Sequence, residues 1–349
     1  MPAVDASACV YVANSDSQDL SVFLLHEDGS LEATGSVPVQ RPAVTGRSLV
    51  LTVSPDLAFL YAGYAMGGTH PTIATFALDS RSRFPTPLAS TPIADSVAYI
   101  ATDRDGKFLL CASYAGDKVM VSPIGVDGIA GETRQIVASE PKAHCIVTDP
   151  SNRHALHTSL GGDLIYQHSF SAATGVLTPN DPPSVAVERG AGPRFICFSR
   201  DARFVYVNCE LDGSLRVFPF DAARGVLGPC VQVASALPPG FTGKIWAADL
   251  HLTPDGRFLY ACERTSSTLS AFAVDPANGL LEQIECYPTT RQPRAFAIDP
   301  AGRFLICSGQ LGNSVVVYAI DADNGRLTAL GEFPVGKNPT WVTVIPLAR

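Results

Sequence analysis

Short apolar runs alternate with turn residues along the whole chain, and the alternation itself repeats. A hydrophobic strand leads into a Pro-Asp-Gly-type turn, and a second strand rich in Phe, Leu and Tyr leaves it. The clearest copies are Ser54-Pro55-Asp56 to Tyr61, Asp105-Gly106-Lys107-Phe108-Leu109, Arg203-Phe204-Val205-Tyr206, Pro254-Asp255-Gly256-Arg257-Phe258-Leu259-Tyr260 and Ala301-Gly302-Arg303-Phe304-Leu305. Weaker copies lie at Asn152-Arg153-His154 and Cys9-Val10-Tyr11. Aligned on the first residue of the second strand, the seven copies fall at Cys9, Phe59, Phe108, His154, Phe204, Phe258 and Phe304, at intervals of 50, 49, 46, 50, 54 and 46 residues. A period of about 50 residues filled with short strands and turn signals predicts one small sheet per repeat, stacked on its neighbours around an axis. The expected fold is all-β, a seven-bladed β-propeller with four-stranded blades.

The strands that lead into the turns read 47–54, 97–103, 143–149, 194–199, 248–253 and 294–299. A seventh, 340–345, has no second strand after it, whereas 8–14 reads as a second strand with no first. The ring is therefore expected to close by pairing the C-terminal strand with the N-terminal blade, which removes an exposed edge. No linker, charge run or low-complexity stretch divides the chain, so one propeller domain is expected over 1–349. Outer hairpins carry Asn278-Gly279 and Asp323-Asn324-Gly325, which supply the positive φ that tight turns need.

Composition narrows the function. A formal charge of −8 without a basic stripe argues against a nucleic-acid partner. No apolar run is long enough to span a bilayer and the first residues lack a signal-peptide profile, so a cytoplasmic protein without a membrane partner is expected. The nine cysteines are odd in number, contain no Cys-x-x-Cys, and fall mostly in strands, which reads as buried thiols.

In a repeat protein, positions that change chemistry from copy to copy are the candidates for function. The residue near the start of each inner strand is Leu49, Ala98, His144, Arg194, Ala248, Arg294 and Thr340; six beyond each second-strand anchor stand Ser15, Ala65, Tyr114, Leu160, Glu210, Arg264 and Gln310. Both sets lie opposite the Asp-Gly turns, so they ring one mouth. That ring is mild in the early repeats and becomes His144, Arg194, Glu210, Arg264, Arg294 and Gln310 in the later ones. Each alone reads as a solvated strand end; together they suit an anionic small molecule, because guanidiniums offer planar donor arrays to carboxylate or phosphate. With arginines outnumbering carboxylates, neither a metal nor another cofactor is expected.

The motifs that carry these residues, Gly190-Ala191-Gly192-Pro193-Arg194, Asn208-Cys209-Glu210-Leu211, the run from Trp246 to Arg257, Arg264-Thr265, Gln292-Pro293-Arg294 and Ser308-Gly309-Gln310, resemble the seven-bladed lactonase family. The resemblance covers the chain and is densest over 190–345. It implies hydrolysis of a sugar δ-lactone, 6-phosphoglucono-δ-lactone foremost, with an unphosphorylated aldaric or aldonic lactone as the alternative and a muconate cycloisomerase as a third. It also implies that His144, Arg194, Glu210 and Arg264 form the catalytic group. His144 or Glu210 would take a proton from water, and Arg294 and Gln310 would bind substrate. Lys142 and Lys244, or Arg47, are candidates for a phosphate arm. The chain departs from the family's usual pattern at Phe195, where His is common, and at Lys142-Ala143 and Gly243-Lys244-Ile245, all of which flank the group and leave it intact. From another class, a non-catalytic propeller would present an apolar patch at this face. A closed ring needs no partner, so a monomer or weak homo-oligomer is expected.

Overall fold

A computed structural model of the chain describes residues 5–39, 48–65 and 71–347. Among these there is no α-helix; seven antiparallel sheets stand in a ring. Blade 1 is built from both ends of the chain: its inner strand Pro339–Pro346 pairs with Ala6–Asn14, followed outward by Asp19–His26 and Leu31–Pro38. Blades 2 to 7 begin with the inner strands Ser48–Val53, Tyr99–Thr102, Ala143–Thr148, Pro193–Phe198, Ala247–Leu252 and Pro293–Ile298. Each inner strand touches the next, and Pro339–Pro346 touches both Pro293–Ile298 and Ser48–Val53, so the ring is closed. Ring closure is thus the expected one. In blade 5 the outermost position is divided: Val226–Leu227 and Gln232–Ser235 both pair with Ser214–Asp221, separated by a segment containing Pro229, which cannot donate to a ladder.

The repeated residues have identifiable work. The residue that opens each turn closes it with its side chain: Asp103, Asp149 and Asp299 accept from the backbone N–H of Phe108, His154 and Phe304, and Ser54, Ser199 and Thr253 do the same for Phe59, Phe204 and Phe258. The anchor ring then packs against the outer turn of the following blade. A Cβ on Gly128, Gly175, Gly225, Gly279, Gly325 or Gly29 would strike the ring of Phe59, Phe108, His154, Phe204, Phe258 or Phe304 respectively, and each of these glycines has a positive φ. Tyr61, Tyr206 and Tyr260 donate their hydroxyls to the carbonyls of Gly128, Gly279 and Gly325. The seam between blades 1 and 2 differs in both halves at once. Cys9 stands where the ring would be, and Arg83, at φ 59°, stands where the glycine would be.

On the axis, Tyr99, Phe195 and Trp341 from blades 3, 5 and 1 meet edge to face, with centroids 5.2 to 5.9 Å apart. Below this layer a cavity of about 590 Å³ opens among the turns and is lined by Tyr99, Arg104, Thr148, Ser199 and Thr253. The candidate site lies at the other mouth.

Candidate active site

At the site mouth the inner strands do not stay in register with their partners. Pro193 pairs with Cys209 and Phe195 with Asn208, so Arg194 has no partner across the ladder; His144 is skipped between Ala143 and Cys145, and Arg294 between Pro293 and Ala295. In blade 6 both Ala248 and Asp249 are skipped. An extra residue in one strand kinks it and re-aims its side chain. These bulges turn His144, Arg194 and Arg294 toward the axis. Glu210, Arg264 and Gln310 lie just beyond the ends of the neighbouring second strands.

The centre of the group is Glu210. Its Oε2 accepts from Arg194 Nε at 2.9 Å and from Arg264 Nη2 at 2.7 Å, with all three side chains buried. Both guanidiniums are also anchored to consecutive backbone carbonyls at the start of the blade 6 inner strand. Arg264 donates from Nε to Trp246 at 3.0 Å and from Nη2 to Ala247 at 3.0 Å, and Arg194 Nη1 donates to Ala248. Asn208 bonds Ala248 as well. Below the guanidiniums lie aromatic faces, Trp246 at 3.9 Å from Arg264 and Phe195 at 4.3 Å from Arg194. Arg194 Nη2 and Arg264 Nη1 carry no hydrogen bond to any described residue, so each keeps a donor for a ligand.

Burial works against the charge on Glu210, yet the guanidiniums of Arg264 and Arg194 hold its carboxyl below the usual range. Burial and the mutual repulsion of the arginines push Arg264 down to about 10 and Arg294 down to about 9. Three guanidiniums face two buried carboxylates, Glu210 and Asp249, which leaves an excess of positive charge that an anion relieves. His144 is 4 % exposed. Burial, with Arg194, Arg294 and Arg264 facing it, holds its imidazole well below the ordinary value, so it is neutral near pH 7.

The remaining expected residues are placed differently. Gln310 is occupied at both ends, donating to Asn338 at 2.8 Å and accepting from Gln292 at 3.1 Å, and so ties the rim together. Lys142 is exposed, with its ammonium 5.9 Å from the Tyr114 ring. Lys244 is exposed on the strandless segment 236–246. Neither lysine bonds to the guanidinium group. Arg47 lies outside the described residues. Asp249 was not singled out in the sequence. It is buried, accepts from the N–H of Phe296 at 3.1 Å, contacts His251 at 3.2 Å, and faces Arg294 electrostatically. Its one signal is a carboxylate among the apolar residues Ala247, Ala248 and Leu250 at the start of an inner strand. Among the described residues no three His, Cys, Asp or Glu side chains converge as a metal site.

The model of the family described as lactonase, seven-bladed β-propeller, matches residues 12–344. The chain is 38% identical over 290 residues to the 6-phosphogluconolactonase of Pectobacterium carotovorum, covering 83% of this chain and 84% of that one. It is 36% identical over 292 residues to the 6-phosphogluconolactonase of Serratia proteamaculans, with the same shares covered. The solved structure of the periplasmic gluconolactonase of Pseudomonas aeruginosa superposes with a TM-score of 0.87 at 28% identity, over 98% of this chain and 99% of that one.

Proposed function

Because the chain belongs to the seven-bladed β-propeller lactonase family, we propose that it hydrolyses a sugar-acid δ-lactone to the open-chain acid, with 6-phosphoglucono-δ-lactone as substrate and 6-phosphogluconate as product. The names of the Pectobacterium and Serratia relatives support the substrate. The site is supported by the junction of Arg194 and Arg264 on a single oxygen of Glu210, next to a buried neutral imidazole.

Opening the ring requires an attacking water, a stabilised tetrahedral oxyanion and a proton for the departing ring oxygen. His144 is unprotonated at working pH and takes the water's proton as the C–O bond forms. The oxyanion meets the spare N–H groups of Arg194 and Arg264, which are already fixed by Glu210 and the carbonyls of Trp246, Ala247 and Ala248 and need no reorganisation. The imidazolium then returns its proton to the ring oxygen as that bond breaks, leaving the acid. Glu210, drawn down by two guanidiniums, is a poor base and serves as their counter-ion. Arg294 supplies a third cation for the substrate's phosphate or hydroxyl oxygens, and Lys142 and Lys244 stand as longer-range attraction for a phosphate arm.

A lactone without phosphate is the second reading, favoured by the gluconolactonase from Pseudomonas, whose match extends over nearly the whole of both chains. Proton release at mildly acidic pH, with the spontaneous rate subtracted, gives kcat/KM for 6-phosphoglucono-, glucono- and galactaro-δ-lactone. Preference for the phosphorylated substrate supports the first reading, and preference for another lactone supports the second. Turnover of none rejects both. In this reading the protein works in the cytoplasm as a monomer or weak homo-oligomer, where its nine unpaired cysteines suit a reducing environment.

A further inference from the structure

A catalytic histidine is commonly fixed by a carboxylate or carbonyl bonded to the ring nitrogen that faces away from the reaction. His144 has no such bond: its Nδ1 is enclosed and without a hydrogen-bond partner among the described residues. The charged groups that face it are Arg194, Arg294 and Arg264, and the nearby carboxylate of Glu210 is turned to Arg194 and Arg264. Two aromatic rings meet the imidazole in place of a carboxylate. Tyr114 stands at 5.9 Å with the planes 87° apart, and Phe195 at 5.2 Å with the planes 69° apart.

These rings reach His144 from the blades on either side. Tyr114 sits on the hairpin just after Phe108–Ser113 in blade 3, and Phe195 belongs to Pro193–Phe198 in blade 5. Each ring is held in turn. The Phe195 N–H donates to Asn208 at 2.8 Å, and its ring packs edge-on to Tyr99 and Trp341 beneath the Arg194 guanidinium. Tyr114 lies half-buried at the rim, with the Lys142 ammonium 5.9 Å from its ring.

We propose that Tyr114 and Phe195 are positioning residues, an aromatic clamp that aims the basic nitrogen of His144 at the reacting water and shields the other nitrogen from solvent. The clamp rests on the reading of His144 as the base. It holds the imidazole by shape, so no bonded carboxylate raises its basicity, and the proton it accepts is passed on readily to the ring oxygen.

The test combines kinetics with a measurement that needs no substrate. In 15N-labelled protein the His144 ring signals, assigned among seven histidines with H144Q, are titrated in wild type, Tyr114→Ala, Tyr114→Phe and Phe195→Leu. Removing either ring admits water, so the titration of His144 is expected to rise toward the ordinary value of about 6.5. The kcat for 6-phosphoglucono-δ-lactone is expected to fall about tenfold with KM changed less than twofold, as misaim of a base requires. Tyr114→Phe keeps the ring and is expected to behave as wild type in both measurements. Should Phe195→Leu fail to fold, Tyr114→Ala at the rim decides alone. Unchanged His144 signals and a kcat within twofold of wild type in the ring-deleting variants would overturn the clamp. If no lactone is turned over, the proposed function fails while the titration still judges the clamp.

Discussion

Arg264 and Glu210 stand 54 residues apart in the chain and 2.7 Å apart in space, joined across the seam between blades 5 and 6. The same carboxylate oxygen takes Arg194. Glu210→Gln therefore leaves two buried guanidiniums without a counter-charge, and breaking a buried pair from one side costs about 3–5 kcal/mol. A fall in thermal midpoint is expected, together with a loss in kcat/KM on the order of 10²-fold. Inorganic phosphate should raise the midpoint of the variant more than that of wild type. A variant with the wild-type midpoint and no response to phosphate would contradict the counter-ion role.

The protonation state of His144 sets the acid side of the rate profile. Its folded pKa is depressed, so the neutral, basic form persists as pH falls through the ordinary histidine range. A plot of kcat/KM is expected to stay level from pH 8 to below 6.5, with its acid limb lower still. His144→Ala should lose on the order of 10²-fold or more. An acid limb centred at 6.5 would point to a different group.

A second effect of acid concerns stability. In blade 4, His157 Nδ1 and His168 Nε2 are 3.0 Å apart, buried and stacked, with Tyr166 stacked on His157. Burial holds His168 down at about 4 and His157 well below its ordinary value. The unfolded chain takes up these protons first, so the stabilisation is complete above about pH 6.5 and is lost as pH falls toward 4, at up to about 1.4 kcal/mol per pH unit for each imidazole. Denaturant melts from pH 7 to 5 should show this slope, and His157→Phe should reduce it. Equal slopes in the two proteins would rule out the pair as its source.

Closure of the ring depends on Pro339–Pro346, which pairs with Ala6–Asn14 and also reaches blade 2, where Thr340 Oγ1 accepts from the Leu49 N–H at 3.0 Å and donates to its carbonyl at 2.9 Å. A chain ending before Pro339 would expose the edge of Ala6–Asn14. It is expected to self-associate and to lose the cooperative melt, as read by gel filtration and circular dichroism. A monomeric truncation with an intact melt would show that the seam is dispensable.

The parts of this structure that were legible in the sequence are those that repeat. Phe and turn residues fixed the register, and the register placed Arg194, Glu210, Arg264 and His144 at one mouth before any contact was known. What was hidden depends on departures from register. The bulges that skip Arg194 and the Ala248–Asp249 pair leave no mark in a periodic pattern, so the carbonyl anchors of Trp246, Ala247 and Ala248 were unreadable: backbone acceptors are the same at every residue. Lys142 and Lys244 illustrate the opposite difficulty. Their charge suggested a phosphate, but both side chains are exposed and carry no side-chain hydrogen bond or ion pair to any described residue, so the sequence could not say where their ammonium groups stand. Gln310 reads as a mouth residue from the register alone, while its bonds to Asn338 and Gln292 turned on neighbours farther along the chain.

The seam between successive blades also bears on how such a ring can be inherited. Each turn glycine accommodates the aromatic of the repeat before it, as Gly279 does Phe204 and Gly325 does Phe258, so the two halves of every junction come from different repeats. Gain or loss of a whole interior repeat keeps all junctions matched. The exception at Cys9 and Arg83 is keyed differently: a small residue opposite a Cβ fits, but a Phe brought against Arg83 by recombination would not. That single mismatched key gives an otherwise interchangeable set of modules a fixed first and second member.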